Sequence, residues 1–151
     1  MTRFTPETMN PHGFPIHSDQ LANLADTANK CNEFLDAYPY DVPMNSGFRN
    51  FALQMQVNPL APMSNHLTGK ALDGGELLDN PNRLMEYILS NLDRAQALGL
   101  FFENFNWVPT WCHIQTVPPK SGHRIFIPDS SPAKCARWSG NYDRKYDLNF
   151  S

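Results

Sequence analysis

The sequence predicts a domain that mixes α-helices with β-strands, and three observations predict it. Two stretches carry apolar residues at the helical spacing of three and four, and two later runs alternate in the strand pattern. The third observation is size: 151 residues fit one domain, 1–151, large enough to bury a core without disulfide or metal support. Hydrophobic residues at 41% and charged residues at 18% are ordinary for a soluble globular chain and exclude disorder. A formal charge of -3 supplies no positive field, so neither nucleic acid nor an anionic surface is an expected partner.

Residues 1–17, with Pro6, Pro11, Gly13 and Pro15, read as an extended arm. Ser18 or Asp19 then caps a helix whose stripe runs through Leu21, Leu24, Ala28, Cys31 and Phe34 or Leu35 and ends near Tyr38 and Pro39. Val42, Pro43, Met44 and Asn45 form a short extended piece leading into Ser46, Gly47, Phe48 and Arg49. Residues 50–63, rich in Asn, Gln, Met and Pro, read as a short helix or loop and as a cleft wall. Asn80 and Pro81 supply an N-cap and first turn for one helix, which carries Leu84, Ile88, Leu92, Ala95 and Leu98 and stops at Gly99. Strands at 100–103 and 110–116 follow, joined by a loop containing Asn104, Asn106 and Pro109, and 124–127 adds an edge strand before Pro128. The remainder, 129–151, is turn-rich without periodicity and reads as an irregular tail.

No apolar core of signal-peptide length occurs in residues 1–14, and no run approaches bilayer-spanning length. The expectation is a protein made in the cytoplasm without a leader and not inserted in a membrane. Cys31, Cys112 and Cys135 are odd in number and lack metal-type spacing, which predicts reduced thiols, with Cys31 on the core stripe.

Chemistry concentrates in 64–73. Here His66 and Asp73 stand seven positions apart, with Gly69 between them where the chain can bend. An imidazole and a carboxylate both suit zinc, and a catalytic zinc site needs one further protein ligand, for which His113 is the candidate. Strand alternation sets Trp111, His113 and Gln115 on one face and Cys112 and Ile114 on the other. The same rule groups Ala71 with Asp73, and a small side chain beside a ligand leaves room for substrate. Either histidine alone would more often be a hydrogen-bonded structural residue; the combination with Asp73, Gly69 and Ser46 to Arg49 favours a site.

These residues carry a resemblance. Ser46, Gly47, Phe48 and Arg49, then Ser64, His66, Gly69, Ala71 and Asp73 in their spacing, then Trp111 and His113, resemble the ordered motifs of peptidase family M15. That family comprises zinc D-Ala-D-Ala carboxypeptidases and related bacteriophage cell-wall endopeptidases, and it shares its fold with the hedgehog signalling domain. The match spans roughly residues 18–128. It implies an α+β domain with a small antiparallel sheet and flanking helices, one zinc ion held by His66, Asp73 and His113, and cleavage of peptidoglycan stem peptides. Arg49 would lie in the cleft, where a guanidinium can hold a substrate carboxylate or carbonyl by paired hydrogen bonds. Ser64, Trp111 and Gln115 complete the expected substrate-binding set.

The general base departs from the pattern. Many members carry an acidic residue three positions before the last histidine, where this chain has Thr110, and a hydroxyl cannot accept a proton from water at neutral pH. Glu103, at the end of the preceding strand, is the substitute, since related folds place a catalytic Glu on that strand. Phe101, Phe102, Phe105 and Trp107 would raise its pKa toward that of a working base. Glu76 is a more distant alternative. In the implied mechanism Glu103 accepts a proton from the attacking water and passes it to the leaving amine, while Arg49 helps stabilise the oxyanion.

The expectation is therefore a monomeric zinc metallopeptidase of the peptidoglycan-degrading kind, phage-encoded and acting on the bacterial wall after release, or carried in the virion. Two rivals stand beside it: a catalytically inactive zinc-binding domain of the same fold serving wall binding or virion structure, and a metal-stabilised domain with another partner. His12, His17 and His123 read as ordinary surface. Segment 134–146 interleaves Arg137, Trp138, Arg144, Lys145 and Tyr146 in a pattern compatible with nucleic-acid or glycan contact, but Asp143 and Asp147 dilute its charge and a packed tail is expected.

Overall fold

A computed structural model describes residues 3–61, 63–74, 81–105 and 111–127, with only the backbone of 81 and 82. Helix α1 spans Ser18–Phe34 and buries Leu24, Thr27, Ala28, Cys31 and Phe34. Its N-cap is His17 rather than Ser18 or Asp19, and the Gln20 side chain reaches back to accept from the His17 N–H at 2.8 Å. The stripe begins one turn later than expected, because Leu21 is 45% exposed. The helix also stops short of Tyr38, which closes a separate turn onto the Leu35 carbonyl.

The N-terminal segment is a packed strap, which corrects the expectation of an extended arm. Phe4 and Met9 are buried in the core. Asn32 brackets the strap, accepting from the Arg3 and Phe4 N–H groups at 2.9 Å and donating to the Phe4 carbonyl at 2.8 Å. The Arg3 guanidinium donates to the carbonyls of Leu35, Tyr38 and Tyr40, just beyond the end of α1. Pro6 and Pro11 are thus compatible with turns that let two apolar residues reach the core.

After strand β1 (Met44–Ser46) comes helix α2 (Phe51–Val57), whose cap Asn50 accepts from the Leu53 N–H at 2.9 Å. A 3-10 turn, Asn65–Thr68, precedes strand β2 (Ala71–Gly74). The single helix expected to reach Gly99 is two, α3 (Pro81–Ser90) and α4 (Leu92–Leu98), broken at Asn91. There the Asn91 side chain donates to the Tyr87 carbonyl at 2.7 Å and its backbone leaves helical angles (φ -127°, ψ 30°), the competition between side chain and helix that Asn introduces. Leu84, Ile88, Leu92 and Ala95 are buried on both sides of the break, so one stripe serves two helices. Asn80, the expected cap, lies outside the described residues.

Strands β3 (Phe101–Glu103), β4 (Cys112–Gln115) and β5 (Ile125–Phe126) complete a five-stranded sheet of order β1-β2-β4-β3-β5. Pairings among the first four strands are antiparallel, but β3 and β5 run parallel, so the sheet is mixed rather than wholly antiparallel. Both edges of β4 are already taken by β2 and β3. The chain returning from β4 joins the outer edge of β3, where its direction is parallel. The molecule is thus of the α+β class.

One sheet face, with Leu72, Phe102, Ile114 and Ile125 fully buried, packs on Phe34 of α1 and Ile88 of α3. The Phe34 and Phe102 rings lie 5.6 Å apart. Cys31 and Cys112 are buried free thiols, as expected; Cys135 and the whole of 129–151 lie outside the described residues. No described helix is long and apolar enough to cross a membrane.

Candidate metal centre

The other face of the sheet carries the polar chemistry. The β2–β4 register sets Asp73 directly opposite His113 and Ala71 opposite Gln115. Continuing the β3–β4 register by one residue sets Glu103 against His113. Trp111 and Gln115 share the face of His113, while Cys112 and Ile114 are buried behind, the alternation expected of a strand. Ala71 is fully buried and does not line the cleft, so it makes no room for substrate.

His66 arrives from the 3-10 turn, and several bonds hold that turn. Ser64 caps it, its Oγ accepting from the His66 N–H at 3.3 Å. Gly69 closes it at φ 79°, and a Cβ there would lie 2.9 Å from the Gln20 carbonyl and from Leu24 Cγ, so only glycine fits both the angle and the approach to α1. From α1, Gln20, Asn23 and Thr27 donate to the carbonyls of Leu67, Thr68 and Gly69 at 2.9, 2.9 and 2.8 Å. This polar row on a helix recognised by its apolar stripe was missed by sequence reasoning; its signal is the spacing 20, 23, 27.

The side chains converge. His66 Nε2 stands 3.4 Å from Asp73 Oδ2, and His113 Nδ1 stands 2.8 Å from Asp73 Oδ1. One ligand atom from each residue lies within 4.8 Å of the others. The outer nitrogens fix the tautomers. His66 Nδ1 faces the Gly47 carbonyl at 2.8 Å, which can only accept, so this nitrogen carries a hydrogen. Gln115 Nε2 donates to the Val117 carbonyl at 2.6 Å, which turns Gln115 Oε1 toward His113 Nε2 at 2.8 Å and requires a hydrogen there too. His66 Nε2 and His113 Nδ1 therefore aim at a carboxylate, an arrangement that needs a proton or a cation between them.

A metal ion fits this donor set. Tetrahedral zinc with bonds of about 2.1 Å spaces its ligand atoms about 3.4 Å apart, and the histidines already have the outer hydrogen-bond partners that orient metal-ligating imidazoles. The buried His66, Asp73 and His113 group can hold a metal ion.

Electrostatics follow from enclosure and from Asp73. Burial opposes ionisation of Asp73, yet His66 and His113 hold its carboxyl well below the usual carboxylate range. For His113 burial favours the neutral ring, but the hydrogen bond and charge of Asp73, with Glu103 nearby, push its pKa up to about 9. His66 is lowered, burial outweighing Asp73. Burial likewise raises Glu103, the direction expected from its aromatic surroundings.

Other expected site residues are placed as follows. Arg49 is buried, with Nε donating to Ser46 Oγ (2.8 Å), Nη1 to Gln54 Oε1 (3.0 Å) and Nη2 to Asp73 Oδ2 (3.1 Å). It therefore braces Asp73, while Gln115 braces His113 through its Oε1 and is itself held by the Val117 carbonyl. Trp111, 37% exposed, stands at the wall of a cleft of about 800 Å³ that His66, Asp73, His113, Glu103, Val57 and Met63 also line. Thr110, Trp107 and Glu76 lie outside the described residues. His12 and His17 are exposed, whereas His123 is half-buried.

No protein-family model, no curated protein and no solved structure matches this chain.

Proposed function

We propose that the protein is a zinc-dependent peptidase of the hedgehog/DD-peptidase fold that hydrolyses peptidoglycan stem peptides, either as a D-Ala-D-Ala carboxypeptidase or as an L-alanyl-D-glutamate-type endopeptidase. The observation that carries this reading is the meeting of His66, Asp73 and His113 in an open cleft that Glu103 also lines. Two imidazoles and one carboxylate, with the cleft on the remaining side, form the three-ligand donor set of a catalytic zinc site. The order and spacing of the three motifs supply the substrate class, and phage wall lysis is the setting in which such enzymes recur.

When bound, a zinc ion supplies a Lewis acid that polarises a carbonyl and acidifies water. Glu103, its affinity for protons raised by burial, takes the proton of the attacking water and returns it to the leaving amine. Arg49 pairs with Asp73 and adds positive charge beside the developing oxyanion. Val57, Met63 and Trp111 offer apolar wall to the peptide.

The test is turbidity loss of purified peptidoglycan, with chelation and zinc restoration. Activity that disappears and returns, with released stem peptides identified by mass, is the expected result; intact wall under every metal condition would sink the reading. One observation favours a second reading, an inactive zinc-binding domain of the same fold: Arg49 and Gln115, expected to hold substrate, are both engaged with the ligands. Wall binding without lysis in a zinc-loaded protein would select it.

A further inference from the structure

Gln54 is a buried amide close to the centre that is not itself a candidate ligand. It is 1% exposed on α2, and a buried amide is costly unless both of its ends are paired. Its NH2 donates to the carbonyls of Asn58 at 3.3 Å and Ala61 at 3.0 Å. Its Oε1 accepts from Arg49 Nη1 at 3.0 Å. A flipped amide would set donor against donor at Arg49 and acceptor against acceptor at both carbonyls, so the orientation is fixed by its partners.

Two different ligands lie beyond these bonds. Toward the sheet, Arg49 continues from Gln54 to Asp73 Oδ2. Toward the 3-10 turn, the Ala61 carbonyl that Gln54 binds also accepts from the Ser64 N–H at 3.2 Å, and Ser64 caps the turn that presents His66. Asp73 and His66 come from separate segments, and their facing atoms stand 3.4 Å apart.

We propose that Gln54 is a positioning residue of the metal centre: one buried amide sets the spacing of Asp73, reached through Arg49, and of the His66 turn, reached through Ala61 and Ser64. The inference rests on the metal reading of the site and not on its catalytic activity. It predicts that changes at Gln54 are felt by a bound ion that Gln54 never touches.

The experiment uses Co²⁺ as the probe, because its visible absorption reports coordination geometry, on the full chain as wild type, Gln54→Met and Gln54→Glu. Gln54→Met keeps the length and removes all three bonds; Gln54→Glu keeps the acceptor for Arg49 and removes both donors. Loss of an outer partner typically weakens metal binding by about 10–100-fold. Gln54 stands one bond beyond such a partner, so the expected result is a loss at the lower end of that range, about tenfold, with an altered spectrum in Gln54→Met and a smaller loss in Gln54→Glu. In an Arg49→Met background, adding Gln54→Met should cost less than it does in the wild type, because the route to Asp73 is already cut. A merely structural role would lower melting temperatures while leaving Co²⁺ affinity and spectrum unchanged.

Should Gln54→Met not fold, Gln54→Glu decides the matter. Wild-type affinity and spectrum in the folded variants overturn the inference while leaving the metal centre in place. A wild-type protein that takes up no Co²⁺ overturns the metal reading and the inference together.

Discussion

Leu72 and Asp73 are neighbours on β2, and Ile114 and His113 are neighbours on β4, yet the first residue of each pair faces the helices and the second faces the cleft. Behind the sheet the contacts are apolar and non-directional, and stability depends on filled volume. In front, each polar atom is tied to a particular partner: Gly47 to His66, Gln115 to His113, Arg49 to Asp73. A face built from directions loses its function before its stability, whereas a face built from volume loses stability first.

The comparison breaks most visibly at Glu103. Glu103→Gln is expected to lower peptidoglycan hydrolysis by about 100-fold to 10,000-fold, the range of a lost general base, with metal content unchanged. Undiminished hydrolysis would remove Glu103 from the mechanism. On the opposite face, Ile114→Ala should cost roughly 2–5 kcal/mol in denaturant unfolding while metal affinity stays within about twofold of wild type. Equal damage to affinity would show that the two faces are not separable.

The third prediction concerns pH in the metal-free protein. His113 is raised in the folded state to about 9 from an ordinary value of 6.5, so its contribution to stability is fully present below about pH 6.5 and is lost as pH rises through about 9. The loss is about 3 kcal/mol at most, and urea titrations in chelator across that window should register it. A flat profile would contradict the His113–Asp73 hydrogen bond as drawn. Smallest is Gln115→Met, expected to weaken metal binding by about tenfold with little change in melting temperature. If affinity holds, the Gln115 contact orients nothing.

Elements whose cause is local were legible in the sequence. The stripes of Leu24 to Phe34 and Leu84 to Ala95, and the alternation of His113 with Ile114, report faces directly, because burial follows periodicity. The break at Asn91 was less legible, since the apolar stripe continues across it and only a side-chain bond to Tyr87 interrupts the backbone. The parallel placement of β5 depends on β4 having both edges occupied, a fact about other strands. Phe4 and Met9 sit among prolines that signal turns, and nothing in the spacing says that those turns lead into the core.

At the site, residue types named His66, Asp73 and His113, whereas the supporting contacts were not legible: Arg49, Gln115 and Ser64 were singled out for substrate, and they hold Asp73, His113 and the His66 turn. The Gly47 carbonyl has no side-chain signature, although the chain crossing that makes glycine necessary is plain in the structure. A Cβ on Gly47 would lie 2.2 Å from the Met9 carbonyl, which accepts from the Phe48 N–H at 2.6 Å. Gln54 is one of several amides in 50–63, and only its enclosure singles it out.

The central claim is that three residues from separate segments make one metal centre. Elemental analysis of the purified protein, set beside a His66→Ala and His113→Ala double variant, tests it most directly. About one zinc per chain in the wild type and none in the folded variant is the predicted result. No metal in the wild type after growth and dialysis in zinc, or equal metal in both proteins, would contradict it.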